Sequence, residues 1–171
     1  MTNASFTTFK CTGSGAATKT DCSHHPCFLS ADVVSTDTAS YPVTAPLSGS
    51  TNYSYELWLK LRCTSAPVNR CENFEFYGSQ AQPDSFLTVF VGTVAAGATP
   101  TSSKSGVAVD VVHTTRYSPG TALPLGVDPG DGKIDAVNEE TNYIVLQLGV
   151  EVGATRGTMQ TFVPTLSWDE V

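Results

Sequence analysis

The chain has 171 residues, a net charge of −7 and 15% charged residues, against about 25% in an ordinary soluble domain. That length holds one domain with a sizeable core. The acidic balance, with no basic run interleaved with aromatics, argues against phosphate-neutralising contacts with nucleic acid. No apolar stretch approaches the roughly 18 residues that cross a bilayer as a helix. The opening "MTNASFTTFKCTG" lacks a basic segment leading into an apolar one, so no secretory signal is read there and a chain kept in a reducing cytosol is expected. In that compartment the Asn-x-Ser matches at Asn3 and Asn52 carry no glycan.

In chain order, the first 30 residues show no strand or helix period and are expected to form an irregular arm or insert, with a β-sandwich domain over 31–171. "GSGAATKT" has the look of a phosphate loop, but Thr18 stands before Lys19 where glycine is required, and no buried strand leads into it. "DCSHHPC", Asp21 to Cys27, packs Cys22, His24, His25 and Cys27 at metal-ligand density, with Cys11 upstream. Closure of a tetrahedron by Cys22, Cys27, one of the two histidines and a fourth cysteine from Cys11, Cys63 or Cys71 would make a structural zinc, which elemental analysis reads directly. Free thiols behaving as small apolar residues, or one or more disulfides, are the alternatives; five cysteines cannot all pair within one chain.

"YSYELWLKLRC" alternates cleanly. Tyr53, Tyr55, Leu57, Leu59, Leu61 and Cys63 share one face, and Trp58 is the one large apolar residue on the other, where it is read as an interface anchor or as packed under its own chain. Strands are expected near 53–63, 72–78, 86–92, 107–113, 143–152 and 159–168, with Pro164 confining the last to an edge or bulge. Leu59, Leu61, Ile144, Leu146, Leu148 and Phe162 form the expected core. Cys71 falls on the outward parity of a strand whose inward residues are Phe74 and Phe76. The Pro-rich stretch 116–133 reads as an ordered surface loop. Short alternating strands separated by Gly, Pro, Ser and Thr predict an all-β antiparallel sandwich, Ig-like or jelly-roll-like.

Catalytic patterns are hard to assemble. His113 and Asp110 lie at the end of "VAVDVVH" without a nucleophile beside them, so no enzyme is expected. The carboxylates of "DPGDGKIDAVNEE" lack the alternating spacing of a calcium loop, and turn chemistry accounts for them.

"STNYSYELWLKLRCT", "CENFEFYGS", "PDSFLTVFVGT", "ATPTSSKS" and "TNYIVLQLGVEVGATRGTMQTFVPTLSWDEV", in that order over roughly 30–171, resemble a group of tailed-bacteriophage structural proteins. The Cys/His segment departs from that pattern, so the resemblance lends zinc no support. It implies a virion component assembled in the host cytoplasm. The leading expectation is a capsid decoration (cement) protein that binds the major capsid protein, as a homo-oligomer on the particle, without nucleic acid or membrane. A neck, tail or baseplate component is the alternative within the class, and a carbohydrate-binding sandwich the alternative outside it.

Overall fold

A computed structural model describes residues 3–12, 18–21, 27–31, 33, 38–78, 86–95, 121–128, 130–154 and 164–171. Among the described residues there are ten strands and no helix: β1 Ser5–Thr12, β2 Thr18–Asp21, β3 Asn52–Tyr53, β4 Leu57–Ser65, β5 Cys71–Gly78, β6 Leu87–Val94, β7 Leu123–Pro124, β8 Lys133–Ile134, β9 Tyr143–Val150 and β10 Pro164–Glu170. All pairings are antiparallel. The larger sheet runs β2-β1-β4-β9, with β3 continuing the line of β4 along β9 and β6 on β9's far side. The smaller sheet places β10 and the short β7 and β8 on either side of β5. The expected strands near 107–113 and over 159–163, Phe162, His113 and Asp110 fall outside the described residues.

The core lies between the two sheets. Leu57, Leu59, Leu61 and Cys63 from β4 and Ile144, Leu146, Leu148 and Val150 from β9 meet Cys71, Phe74 and Phe76 from β5, with Val89, Val91 and Ile134 closing the sides. This is the inward face that period-2 alternation predicts. Leu146, 1% exposed, sits at its centre. Leu146→Ala is expected to cost roughly 2–5 kcal/mol in urea denaturation, the range for a large-to-small change that leaves a cavity; a loss under 1 kcal/mol would show that the site collapses around the missing atoms.

Two irregularities change which side chains face inward. Tyr53 pairs with Gly149 and Leu57 with Leu146, so four steps along one chain match three along the other. The extra residue lies at Ser54–Glu56. It turns Tyr53, expected inside, to the outer face, where its ring is 6.1 Å from that of Phe90. The added Cβ of any residue replacing Gly149 would press on both rings, which is why a residue without a side chain fits there. Ser54 holds the irregularity: its amide donates to Leu148 O at 2.9 Å and its hydroxyl accepts from Leu148 N at 3.0 Å.

A second irregularity lies in β5. Ser167 pairs with Glu75 and Asp169 with Glu72, which leaves an extra residue at Asn73, whose φ is +55°. Such a bulge reverses the parity of what precedes it. Cys71 therefore points into the core and is fully buried, against the outward placement that unbroken alternation gives.

The N-terminal region also departs from expectation. β1 is no arm: it lies in the large sheet between β2 and β4, with Phe9 opposite Lys60 and Cys11 opposite Trp58. Phe6, on the inward face, meets Trp168 at a tilt with ring centroids 4.7 Å apart and Phe74 edge-on at 5.6 Å. Period-2 reading misses this strand because apolar residues occupy both of its faces. The stretch read as a surface loop likewise reaches inward, for Leu125 and Val127 are buried and Leu125 N donates to Phe74 O at 2.8 Å. Pro164 opens β10 at the sheet's edge, as expected.

Candidate functional site

The outer face of the large sheet concentrates the polar chemistry. β9 is buried along its whole length, so its outward side chains need cover as well. Trp58, Cys11, Tyr143 and Val145 provide it as a second apolar layer. Trp58 is 1% exposed. Its ring meets Tyr143 edge-on at 5.1 Å, and its Nε1 donates to Glu56 Oε2 at 2.7 Å. The reading of Trp58 as a free interface anchor is therefore corrected: neighbouring strands of its own sheet cover the ring, a cover that β4's sequence alone cannot reveal.

Beside this layer, Glu140 is ringed by cations from two strands. Its Oε1 accepts from Lys19 Nζ at 2.9 Å and Arg62 Nε at 2.8 Å, and its Oε2 accepts from Lys19 Nζ at 2.8 Å and Lys60 Nζ at 3.2 Å. Asp128 Oδ2 lies 3.6 Å from Lys60. The two cations on β4 also rest on aromatic faces, Lys60 over Tyr143 at 4.4 Å and Arg62 over Phe9 at 4.7 Å. Alternation supplies the geometry, because Trp58, Lys60 and Arg62 share one side of β4 and an isolated bridge holds Glu140 against Arg62.

Burial alone would raise the Glu140 pKa, but hydrogen bonds from Lys19, Arg62 and Lys60 outweigh it and lower it to about 2. A carboxylate so held, with both oxygens taken by donors, makes a poor general base or nucleophile. Burial, with smaller contributions from Cys11, Glu140 and Asp128, pushes the Tyr143 phenol up to about 12, so it stays neutral. The cluster clamps β2, β4 and the turn before β9 together.

Of the residues expected to hold zinc, Cys22, His24 and His25 lie outside the described residues. Cys27 is half-buried. Cys11 is sealed into the outer layer against Trp58 and Tyr143, where burial first, and Glu140 to a lesser extent, push its thiol up despite the nearby cations; that site disfavours the thiolate a metal needs. Cys63 and Cys71, the other candidates for a fourth ligand, are closed inside the sandwich. Among the described residues no group of three or more His, Cys, Asp or Glu stands together as a metal site. The carboxylates of 128–140 are dispersed over separate partners: Asp131 and Asp135 pair with Lys133, Glu139 accepts from the amides of Asp135 and Ala136, and Asp128 and Glu140 join the cation cluster.

Among the described residues, the large apolar side chains that are exposed fall at the two ends of the sandwich. Strand directions place Val68, Val137 and Val171 at the end where β4 leads into β5, and Phe86 and Val152 at the other, where the loop carrying Leu47 enters β3. At the first end Arg70 and Val171 exchange backbone hydrogen bonds, and Asn138 N donates to Cys63 O at 2.9 Å. Sequence reading missed both features. The charge cluster joins residues as far apart as Lys19 and Glu140, and the grouping of the valines depends on topology. Comparison with family models, with curated proteins and with solved structures gave no match.

Proposed function

We propose that the chain is a structural protein of a tailed-phage virion, a capsid decoration (cement) protein that binds between major-capsid subunits and is present in many symmetry-related copies. The observation that carries this reading is where apolar surface remains: Val68, Val137 and Val171 at one end of a rigid sandwich, Leu47, Phe86 and Val152 at the other. Small apolar contacts at two opposed ends suit a molecule held between neighbours, and modest contacts become strong when a lattice multiplies them. The ordered sequence resemblance to phage structural proteins points the same way. The large charged side chains on the sheet face are turned toward one another, which leaves the ends as the natural contact surfaces.

A glycan-binding sandwich would present a row of coplanar exposed aromatics. Here Trp58 is buried, Trp168 packs on Phe6 and Phe74, and the Tyr53 and Phe90 rings are inclined at 46°. These placements disfavour that alternative.

The test is electron microscopy of particles with and without the chain, followed by addition of purified protein to the depleted particles. Regular density on the head, restored by the wild type and reduced by Val68→Asp with Val137→Asp or by Leu47→Asp, is the expected result. Density confined to the neck or tail would assign the chain there instead, and absence from particles would end the proposal.

A further inference from the structure

Cys63 and Cys71 are inward residues of β4 and β5, one from each sheet, both free thiols fully buried in the same apolar cluster, with Cys63 Sγ donating to Ser65 O at 3.3 Å. The connection 66–70 joins their strands. Segment 134–139 ties both to the same end of the sandwich: Ile134 pairs with Cys71, while Asn138 N donates to Cys63 O and Cys63 N to Glu139 O. Cys71 reaches this position only because of the bulge at Asn73, a non-glycine residue held at positive φ, a conformation that carries a cost. The other described cysteines are placed differently. Cys11 is on the opposite side of the large sheet, and Cys27 is half-buried outside this cluster.

We propose that Cys63 and Cys71 are a disulfide-forming pair, joined across the sandwich by exchange with a small-molecule disulfide such as oxidised glutathione. One cysteine thiolate attacks the reagent, displaces one small thiol and becomes a mixed disulfide. The second then attacks the protein sulfur and displaces the other small thiol. The two cysteines lose two protons and two electrons, and the reagent becomes two thiols.

In the closed fold the reaction is slow. Burial, then the neighbouring Glu170 and Cys63, push the Cys71 thiol up to about 11, so little thiolate is present, and neither sulfur meets solvent. Exchange therefore occurs during folding or through opening of the 66–70 connection, which the Arg70–Val171 backbone pair holds shut. The pairing would staple the two layers at one end. This inference stands apart from the functional reading above and survives its failure.

Trypsin separates the two cysteines, since Arg62, Arg70 and Lys104 put them on peptides 63–70 and 71–104. The protein is refolded in mixed reduced and oxidised glutathione, its free thiols are alkylated in denaturant, and the digest is weighed without reduction. The expected product is peptide 63–70 linked to 71–104, two hydrogens lighter than the sum and released by reductant, with two fewer thiols alkylated than in reduced protein. In Cys63→Ala, Cys71 should remain alkylated. Recovery of both peptides unlinked from wild-type protein, or linkage of either mainly to Cys11, Cys22 or Cys27, would overturn the assignment. The mapping on wild-type protein does not depend on whether the variant folds.

Discussion

Glu140→Ala is expected to destabilise the protein by roughly 3–5 kcal/mol, the range for removing one partner from a buried ionic group. Lys60 is the reason: its side chain is 3% exposed, and without Glu140 its remaining carboxylate partner among the described residues is the more distant and exposed Asp128, with the Tyr143 ring beneath it. Lys19 and Arg62 reach solvent more readily and should contribute less. The same group sets an acid limit. The Glu140 pKa is lowered from an ordinary 4.5 to about 2, so its contribution is complete above about pH 4.5 and disappears as pH falls toward 2. That depression corresponds to roughly 3 kcal/mol. Urea denaturation of wild type and Glu140→Gln at pH 7 and pH 3 checks both statements: the wild type should lose more stability on acidification than the variant. Equal losses would mean that other carboxylates govern the acid transition.

Trp58→Ala is expected to cost about 3–5 kcal/mol, as for other buried Trp truncations. The indole covers β9 on the side away from the main core, meets Tyr143 edge-on and donates to Glu56. Trp58→Phe should recover part of the loss by refilling the layer, while leaving Glu56 without the indole donor. Thermal and urea denaturation measure both variants. A Trp58→Ala protein as stable as wild type but unable to bind particles would restore the interface role that burial argues against.

Alternation makes the main core legible: Leu57, Leu59, Leu61, Ile144, Leu146 and Leu148 face inward as their spacing requires. It failed where a strand gains one residue. Tyr53 and Cys71 were each placed on the wrong face because period 2 presumes an unbroken ladder, and the bulges at Ser54–Glu56 and Asn73 break it. Nothing local marks them beyond an asparagine, a residue that tolerates positive φ. The outer layer was illegible for another reason. β4 shows that Trp58 points away from the core, but its cover comes from Cys11 on β1 and Tyr143 on β9. The Glu140 cluster likewise unites Lys19, Lys60 and Arg62 only after the sheet has formed. Long-range pairing creates the site, and no window of sequence contains it.

The placement of β9 has a consequence for biosynthesis. β4 has β1 on one side but takes β9 on the other, and β6 pairs with β9; β9 begins only at Tyr143. A ribosome must therefore pass Tyr143, well beyond β4 and β6, before the centre of the large sheet exists. Until then β6 and the β9-side edge of β4 have unmet backbone groups, and both strands have uncovered apolar faces. Assembly of the large sheet thus waits on distant contacts and is expected to be slow, as where contacts span long loops. During that interval the low charge of the chain gives little repulsion against self-association, so lowering the growth temperature or the synthesis rate should raise the soluble yield more than strengthening the finished core would.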